Sequence, residues 1–158
     1  MELLMLVGIP TSGKSSYVDN LLEQDYWKSA AILSTDNYIE QAANSKGVSY
    51  DEMFASAVGP AHQFLDHQLT EAIESQTPII WDQTNLTIKT RNKKLQRIPF
   101  WWRRQAVYFE ISLEEALARN QFRAGKVIPK GVLTEMFNDY QRPTYSEGFD
   151  LIIGGNER

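Results

Sequence analysis

The chain has 158 residues, 23% of them charged and 42% hydrophobic, with a formal net charge of −4 and no cysteine. That length suits one compact domain with a buried core. The missing cysteines exclude disulfides and thiolate metal sites, and the acidic balance argues against a nonspecific nucleic-acid coat.

The opening run "MELLMLVG" lacks a basic leader and a small-residue cleavage site, and its apolar stretch is far too short to span a bilayer. A cytoplasmic protein without membrane contacts or an obligate protein partner is the expectation. Short apolar runs at 2–7, 30–34, 78–82, 105–111 and 149–153 read as strands. They are apolar on both faces, as parallel strands covered by helices must be. Helical patterns fall between them near 14–25, 37–45, 50–76, 87–97, 113–124 and 130–141. This alternation predicts an α/β layered fold with a mostly parallel sheet. No repeat or linker interrupts it, so residues 1–158 are expected to form a single domain. On the long segment 50–76, Met53, Phe54, Ala57, Ala61, Phe64, Leu65, Leu69 and Ile73 recur at helical spacing and are read as core.

Between the first strand and its helix lies "GIPTSGKS", a G-x-x-x-x-G-K-S phosphate loop from Gly8 to Ser15. Gly8 and Gly13 let the backbone turn its N–H groups inward around a phosphate, and the next helix adds its positive end. Thr11, Ser12 and Ser16 complete the lining. Lys14 is placed to reach the β- and γ-phosphates and Ser15 to offer a hydroxyl to Mg²⁺. ATP with Mg²⁺ is the expected ligand.

Two acids follow strands: Asp36 in "ILSTDNY" and Asp82 in "IIWDQTNL". At the carboxyl ends of parallel strands both belong near the loop. One such acid orders Mg²⁺ or its water, and another takes the proton of an attacking hydroxyl. Asp36 competes with a helix N-cap role, but Asn37 and Glu40 have capping-box spacing and leave it to the site. Asp82 is assigned to Mg²⁺ through water, with bonding of the Thr84–Asn85 turn as its other role. In "ARNQFRAGKVIPKGVL", Arg119 and Arg123 are four apart, on one helix face before a Gly and Val-Ile-Pro break. That suits a lid over phosphates, at about 117–131.

From Gln83 to Phe109 there is no acid, while Lys89, Arg91, Lys93, Lys94, Arg97, Arg103 and Arg104 fall inside. The stretch is either a solvated helix surface or a face for a polyanion. "FWW" at 100–102 is read as an apolar lead into the fourth strand in preference to a stacking surface. His62 and His67, on the long helix, are not read as ligands.

Taken together, the phosphate loop, "TDNY", "DQTNLT", "ARNQFRAGKVIP-GVL-EMF" and "EGFDLII" resemble the P-loop kinase domain of bacteriophage-type 5′-hydroxyl polynucleotide kinases, over nearly the whole chain. The resemblance implies a P-loop NTPase-type three-layer sandwich with a five-stranded parallel sheet and an arginine-bearing helical lid. It implies Asp36 as general base, Lys14 and Ser15 on ATP and Mg²⁺, Arg123 on the transferring phosphate with Arg119 in support, and a nucleic-acid 5′ end as acceptor. Two positions depart from the pattern. Ile39 stands where the family has an arginine for the acceptor's phosphate, and Gln83 stands where it has the acid before Thr-Asn-Leu. A kinase for a nucleoside, a modified base or another small hydroxyl compound is the alternative, and a slow nucleotide-binding ATPase module a third.

Overall fold

The computed structural model describes residues 1–156. Its elements run β1 (Glu2–Val7), α1 (Lys14–Leu22), β2 (Ala31–Leu33), α2 (Thr35–Lys46), α3 (Tyr50–Glu74), β3 (Ile79–Trp81), α4 (Ile88–Leu95), β4 (Arg103–Tyr108), α5 (Leu113–Asn120), α6 (Lys130–Asp139), a 3₁₀ turn (Tyr145–Glu147) and β5 (Leu151–Gly154). The five strands form one parallel sheet in the order β2-β3-β1-β4-β5. Central β1 places Leu4 beside Ile80 on one side and Gln105 on the other.

The period of two along β1 divides the core into two layers. Leu3, Met5 and Val7 face Leu65, Leu69 and Ala72 of α3 and Leu95 of α4, whereas Leu4 and Leu6 pack with Val18 and Leu21 of α1 and with Trp27. The result is the expected three-layer α/β sandwich.

The 25-residue α3 opens with a complete capping box, Ser49 with Glu52, and contains Pro60. Before the proline its buried side chains Met53 and Ala57 pack with Ile39 and Ala43 of α2, and beyond Ala61 they pack on the sheet. Proline has no N–H, so the carbonyl four residues earlier lacks its helical partner. One helix thus joins two cores and changes partners near Pro60. Phe54 and Phe64, expected in the core, are exposed at its edges, where they meet the rings of Tyr50 and Tyr38.

The basic stretch is not a uniformly solvated surface. Arg91 is fully buried, and its Nε and Nη2 donate to both carboxylate oxygens of Glu147 at 2.8 and 2.9 Å. Its Nη1 donates to the carbonyls of Asn85, Leu86 and Gln141. Removing one partner of such a pair costs about 3–5 kcal/mol, because the other charge is left buried. The network pins the turn after β3 to α4 and to the 3₁₀ turn. Of "FWW", only Trp102 is buried in the core, while Phe100 and Trp101 are exposed. Among the described residues no helix is long and apolar enough to cross a membrane.

Candidate active site

The phosphate loop leaves the carboxyl end of β1 and ends at Gly13, whose φ of 106° caps α1 in the left-handed region. Glycine adopts that conformation without strain. Gly8 serves by closeness instead: a Cβ there would lie 2.7 Å from Ser12 Oγ and 3.1 Å from Phe109. Thr11, at φ 70°, makes the remaining reversal. Across the sheet the Gly8 N–H donates to the Thr84 carbonyl at 2.9 Å.

The lining fits an anion. Lys14 Nζ donates to the carbonyls of Gly8 and Ile9 at 2.9 and 2.8 Å, while Ser12 Oγ and Arg123 Nη1 are buried with no partner. Buried polar groups are seldom left so. Burial holds Lys14 at a pKa of about 8, opposed by the carboxylates of Asp82 and Asp36 and reinforced by Arg123 and Lys126. Asp36, Asp82, Arg123 and Lys126 are thus the charges that act on Lys14, and Lys126 and Asp36 are themselves paired. Ser15 and Ser16 are exposed at the start of α1. Burial raises the Asp82 pKa, with Lys14 pulling against it. Beside the loop lies a cavity of about 440 Å³, lined by Gly13, Ser16, Tyr17, Arg119, Gly155 and Asn156 among others. That volume suits a small-molecule ligand.

Asp36 sits in the first turn of α2, and the cap differs from the sequence expectation. Ser34, at the end of β2, is the N-cap, and its hydroxyl accepts the Asn37 N–H at 3.2 Å. The Asn37–Glu40 box does not form, because the N-cap falls three residues earlier, at Ser34. Asp36 is nonetheless free of capping. Its Oδ1 accepts from the Tyr50 hydroxyl at 2.7 Å, and Lys126 Nζ stands 3.4 Å from Oδ2. Lys126 also pairs with Glu40 and lies 4.5 Å over the Tyr50 ring. Burial and the hydrogen bond to Asp36 raise the Tyr50 pKa, which keeps the hydroxyl protonated as a donor.

The lid is not a helix carrying two arginines on one face. Helix α5 ends at Asn120, whose buried amide bonds both N–H and C=O of Ile128, at 3.0 and 2.7 Å. Residues 121–127 are thereby closed into a loop, and Arg123 falls within it. Arg119 remains on α5, donating to the Thr11 carbonyl at 2.9 Å and pairing with Glu115. The loop rests on α3, where the Asp51 N–H donates to the Gly125 carbonyl at 3.1 Å. Tyr50 and Lys126 were not found by sequence reasoning. The "RAGKVIP" spacing was the available sign for Lys126.

The turn after β3 is held by Asn85, not by Asp82. Asn85 Nδ2 donates to the Leu6 carbonyl at 2.7 Å and to those of Trp81 and Gln83. Lys94 Nζ donates to Gln83 Oε1 at 2.6 Å and to Asn85 Oδ1, and Gln83 Nε2 donates to Thr35 Oγ1 at 3.0 Å. Gln83 therefore links β3 to the start of α2. Burial without a carboxylate partner depresses Lys94 to about 7, aided by Arg97. Ile39 is only 1% exposed, inside the α2–α3 core, so that position does not face the site.

This fold and loop are those of a P-loop kinase-type domain. The sequence matches the model of the AAA domain family over residues 3–143, and the chain belongs to that family. No curated protein matches it significantly. Among solved structures it is similar to a candidate kinase from Chloroflexus aurantiacus, with a TM-score of 0.69 and 16% identity over 97% of this chain and 86% of that one. Shikimate kinase from Aquifex aeolicus gives a TM-score of 0.57 and 18% identity over 99% and 88%. A chain of a Pnkp1/Rnl/Hen1 complex gives 0.58 and 18% over 75% and 38%. At these identities the likeness is one of fold.

Proposed function

We propose that this chain is an ATP-dependent kinase that transfers the γ-phosphate to a hydroxyl, with the 5′-hydroxyl of RNA or DNA as acceptor. The observation that carries the reading is Asp36, a carboxylate held from two sides by Tyr50 and Lys126 and coupled electrostatically to Lys14 of the phosphate loop. A nucleotide switch has no use for a carboxylate so placed.

In this reading the loop N–H groups, Lys14 and Arg123 hold the triphosphate, and Arg119 lines the cavity that takes the nucleoside end. The Ser15 hydroxyl and, through water, Asp82 would hold Mg²⁺, which would supply charge neutralisation at the phosphate oxygens. Asp36 accepts the proton of the acceptor hydroxyl as its oxygen forms the new bond to the γ-phosphorus. The bond to the bridging oxygen breaks and ADP leaves. Arg123, with a buried donor unpartnered, stabilises charge on the transferring group.

A second reading keeps the chemistry and makes the acceptor a small hydroxyl compound. It is favoured by the burial of Ile39 and by Lys126, whose charge is already answered by Asp36 and Glu40. Neither position then offers a free cation to an acceptor phosphate. Incubation with γ-labelled ATP and Mg²⁺, offering 5′-hydroxyl oligonucleotides, nucleosides or no acceptor, separates the two. Label on the oligonucleotide is expected. Label on nucleosides alone selects the small acceptor, and free phosphate as the only product rejects both.

A further inference from the structure

We infer that the face formed by α4, the 96–102 turn and Arg104 binds single-stranded nucleic acid, with a cleft for the phosphodiester chain and an exposed aromatic pair for a base. This surface lies apart from the phosphate loop, and the inference stands whether or not a 5′-hydroxyl is the acceptor.

The acid-free stretch supplies seven cations, and the folded chain sorts them. Arg91 and Lys94 are used internally. Arg97 is answered by Asp66 at 2.8 Å and Arg103 by Glu2 at 3.4 Å. Lys89 and Lys93 are exposed on α4 and have no ion pair among the described residues. Among the described residues Arg104 has no carboxylate on its guanidinium: Nη2 donates to the Ile98 carbonyl at 3.0 Å, and Nε is buried without an acceptor. Asp150 accepts only the Arg104 backbone N–H.

Arg104 lines a cleft of about 410 Å³ together with Asn92, Gln96, Ser146, Leu95 and Glu147. Both Glu147 oxygens are occupied by buried Arg91, so the one acid of the cleft does not confront an anion uncompensated. Gly148, at φ 97°, ends the 3₁₀ turn beside this cleft, and a Cβ there would lie 3.5 Å from Arg104 Nη1. The cleft therefore offers a guanidinium, two amides and a hydroxyl, the donor set that meets phosphodiesters and base edges.

The turn that receives the Arg104 hydrogen bond continues into Phe100 and Trp101. These rings are 85% and 70% exposed and meet edge to face, with centroids 5.1 Å apart. The chain's other tryptophans, Trp27, Trp81 and Trp102, are buried. Adjacent exposed rings mark a contact surface, and together with the cations of α4 and Arg104 they would form the stacking platform that single strands use. A lipid surface calls for a broad apolar rim, whereas the exposed residues flanking these rings in the chain, Gln96, Arg97 and Arg103, are polar.

The test uses fluorescein-labelled single-stranded RNA and DNA of twelve nucleotides bearing a 5′-phosphate, without ATP, so that neither can act as acceptor. Anisotropy should report binding, accompanied by quenching of the Trp101 emission. With Lys89, Lys93 and Arg104 on phosphates, log affinity should fall against log salt with a slope of about −2. Phe100→Ala with Trp101→Ala should weaken binding about tenfold or more, and Lys89→Ala with Lys93→Ala should bring the slope above about −1. Circular dichroism and the melting temperature of each variant check its fold. The inference is overturned if the wild type binds no oligonucleotide, if the aromatic variant binds as well as wild type, or if only anionic vesicles quench Trp101. Oligonucleotide binding alongside phosphorylation of nucleosides alone would reject the proposed acceptor and leave this face intact.

Discussion

The phosphate loop and the wall that carries Asp36 meet at one centre but are built in opposite ways. The loop is local: eight consecutive residues, a glycine at φ 106° and a helix start make the anion cradle. The wall is assembled from a distance. Asp36 depends on Tyr50, fourteen residues away, and on Lys126, which reaches it from the loop that Asn120 closes. A cradle for phosphate can be stored in one motif because backbone N–H groups do most of the binding. A site for an unspecified acceptor needs side chains from several elements, and only the fold brings them together.

Substitutions on the two sides should therefore fail differently. The largest effect is expected from Asp36→Asn, which keeps the side chain's shape and removes its basicity. Phosphate transfer should fall about 10²–10⁴-fold while ATP affinity, measured by titration calorimetry, stays within about twofold of wild type. Loss of ATP binding in this variant would erase the division between the two regions.

Stability should respond next, through the lysine behind the wall. Lys94 is depressed from 10.5 to about 7 in the folded protein. A depressed group contributes its stability fully above the unfolded pKa and loses it as pH falls through the folded one. Wild-type stability should drop by on the order of 2–4 kcal/mol between pH 10 and pH 7 from this residue. Lys94→Met should flatten that slope in urea unfolding across the same range. An unchanged slope would show that Lys94 stays charged in the fold.

On the loop side, Lys14 loses its proton above about 8 in the free protein. ATP binding requires the ammonium, so affinity should weaken about tenfold per pH unit above that value. Titrations between pH 7 and 9.5 measure it, and a flat profile would place the lysine's pKa well above the range. The smallest change belongs to the wall. Tyr50→Phe removes one hydrogen bond to Asp36 and should slow transfer about three- to tenfold, with the ATP affinity and its pH profile unmoved.

Much of the sheet was legible in the sequence because alternate residues of β1 serve two apolar layers, and that period leaves a clear trace. The cradle was legible for the reason given above. The lid was misread because Arg119 and Arg123 have helical spacing, and nothing local announces that the Asn120 side chain will bond Ile128 and end the helix. The α2 cap was misread because Asn37 and Glu40 fit a box that Ser34, already fixed by the end of β2, pre-empts. Charge patterning showed where the cations are, but not which are used: the Arg91 partner, Glu147, lies 56 residues on. Phe54 and Phe64 fit the helical period, yet they stand beside the buried stripe and pair with neighbouring tyrosines instead.

Pro60 gives this division a mechanical side. Helix α2 bears Asp36, the first half of α3 bears Tyr50, and the two are packed as one block. The second half of α3 belongs to the sheet, and so to the frame that holds the phosphate loop. At the joint the backbone is already missing a hydrogen bond, so bending there breaks none. One continuous helix thus spans the block that carries Asp36 and the sheet that carries the phosphate cradle, and the relation between the two is written into the covalent chain.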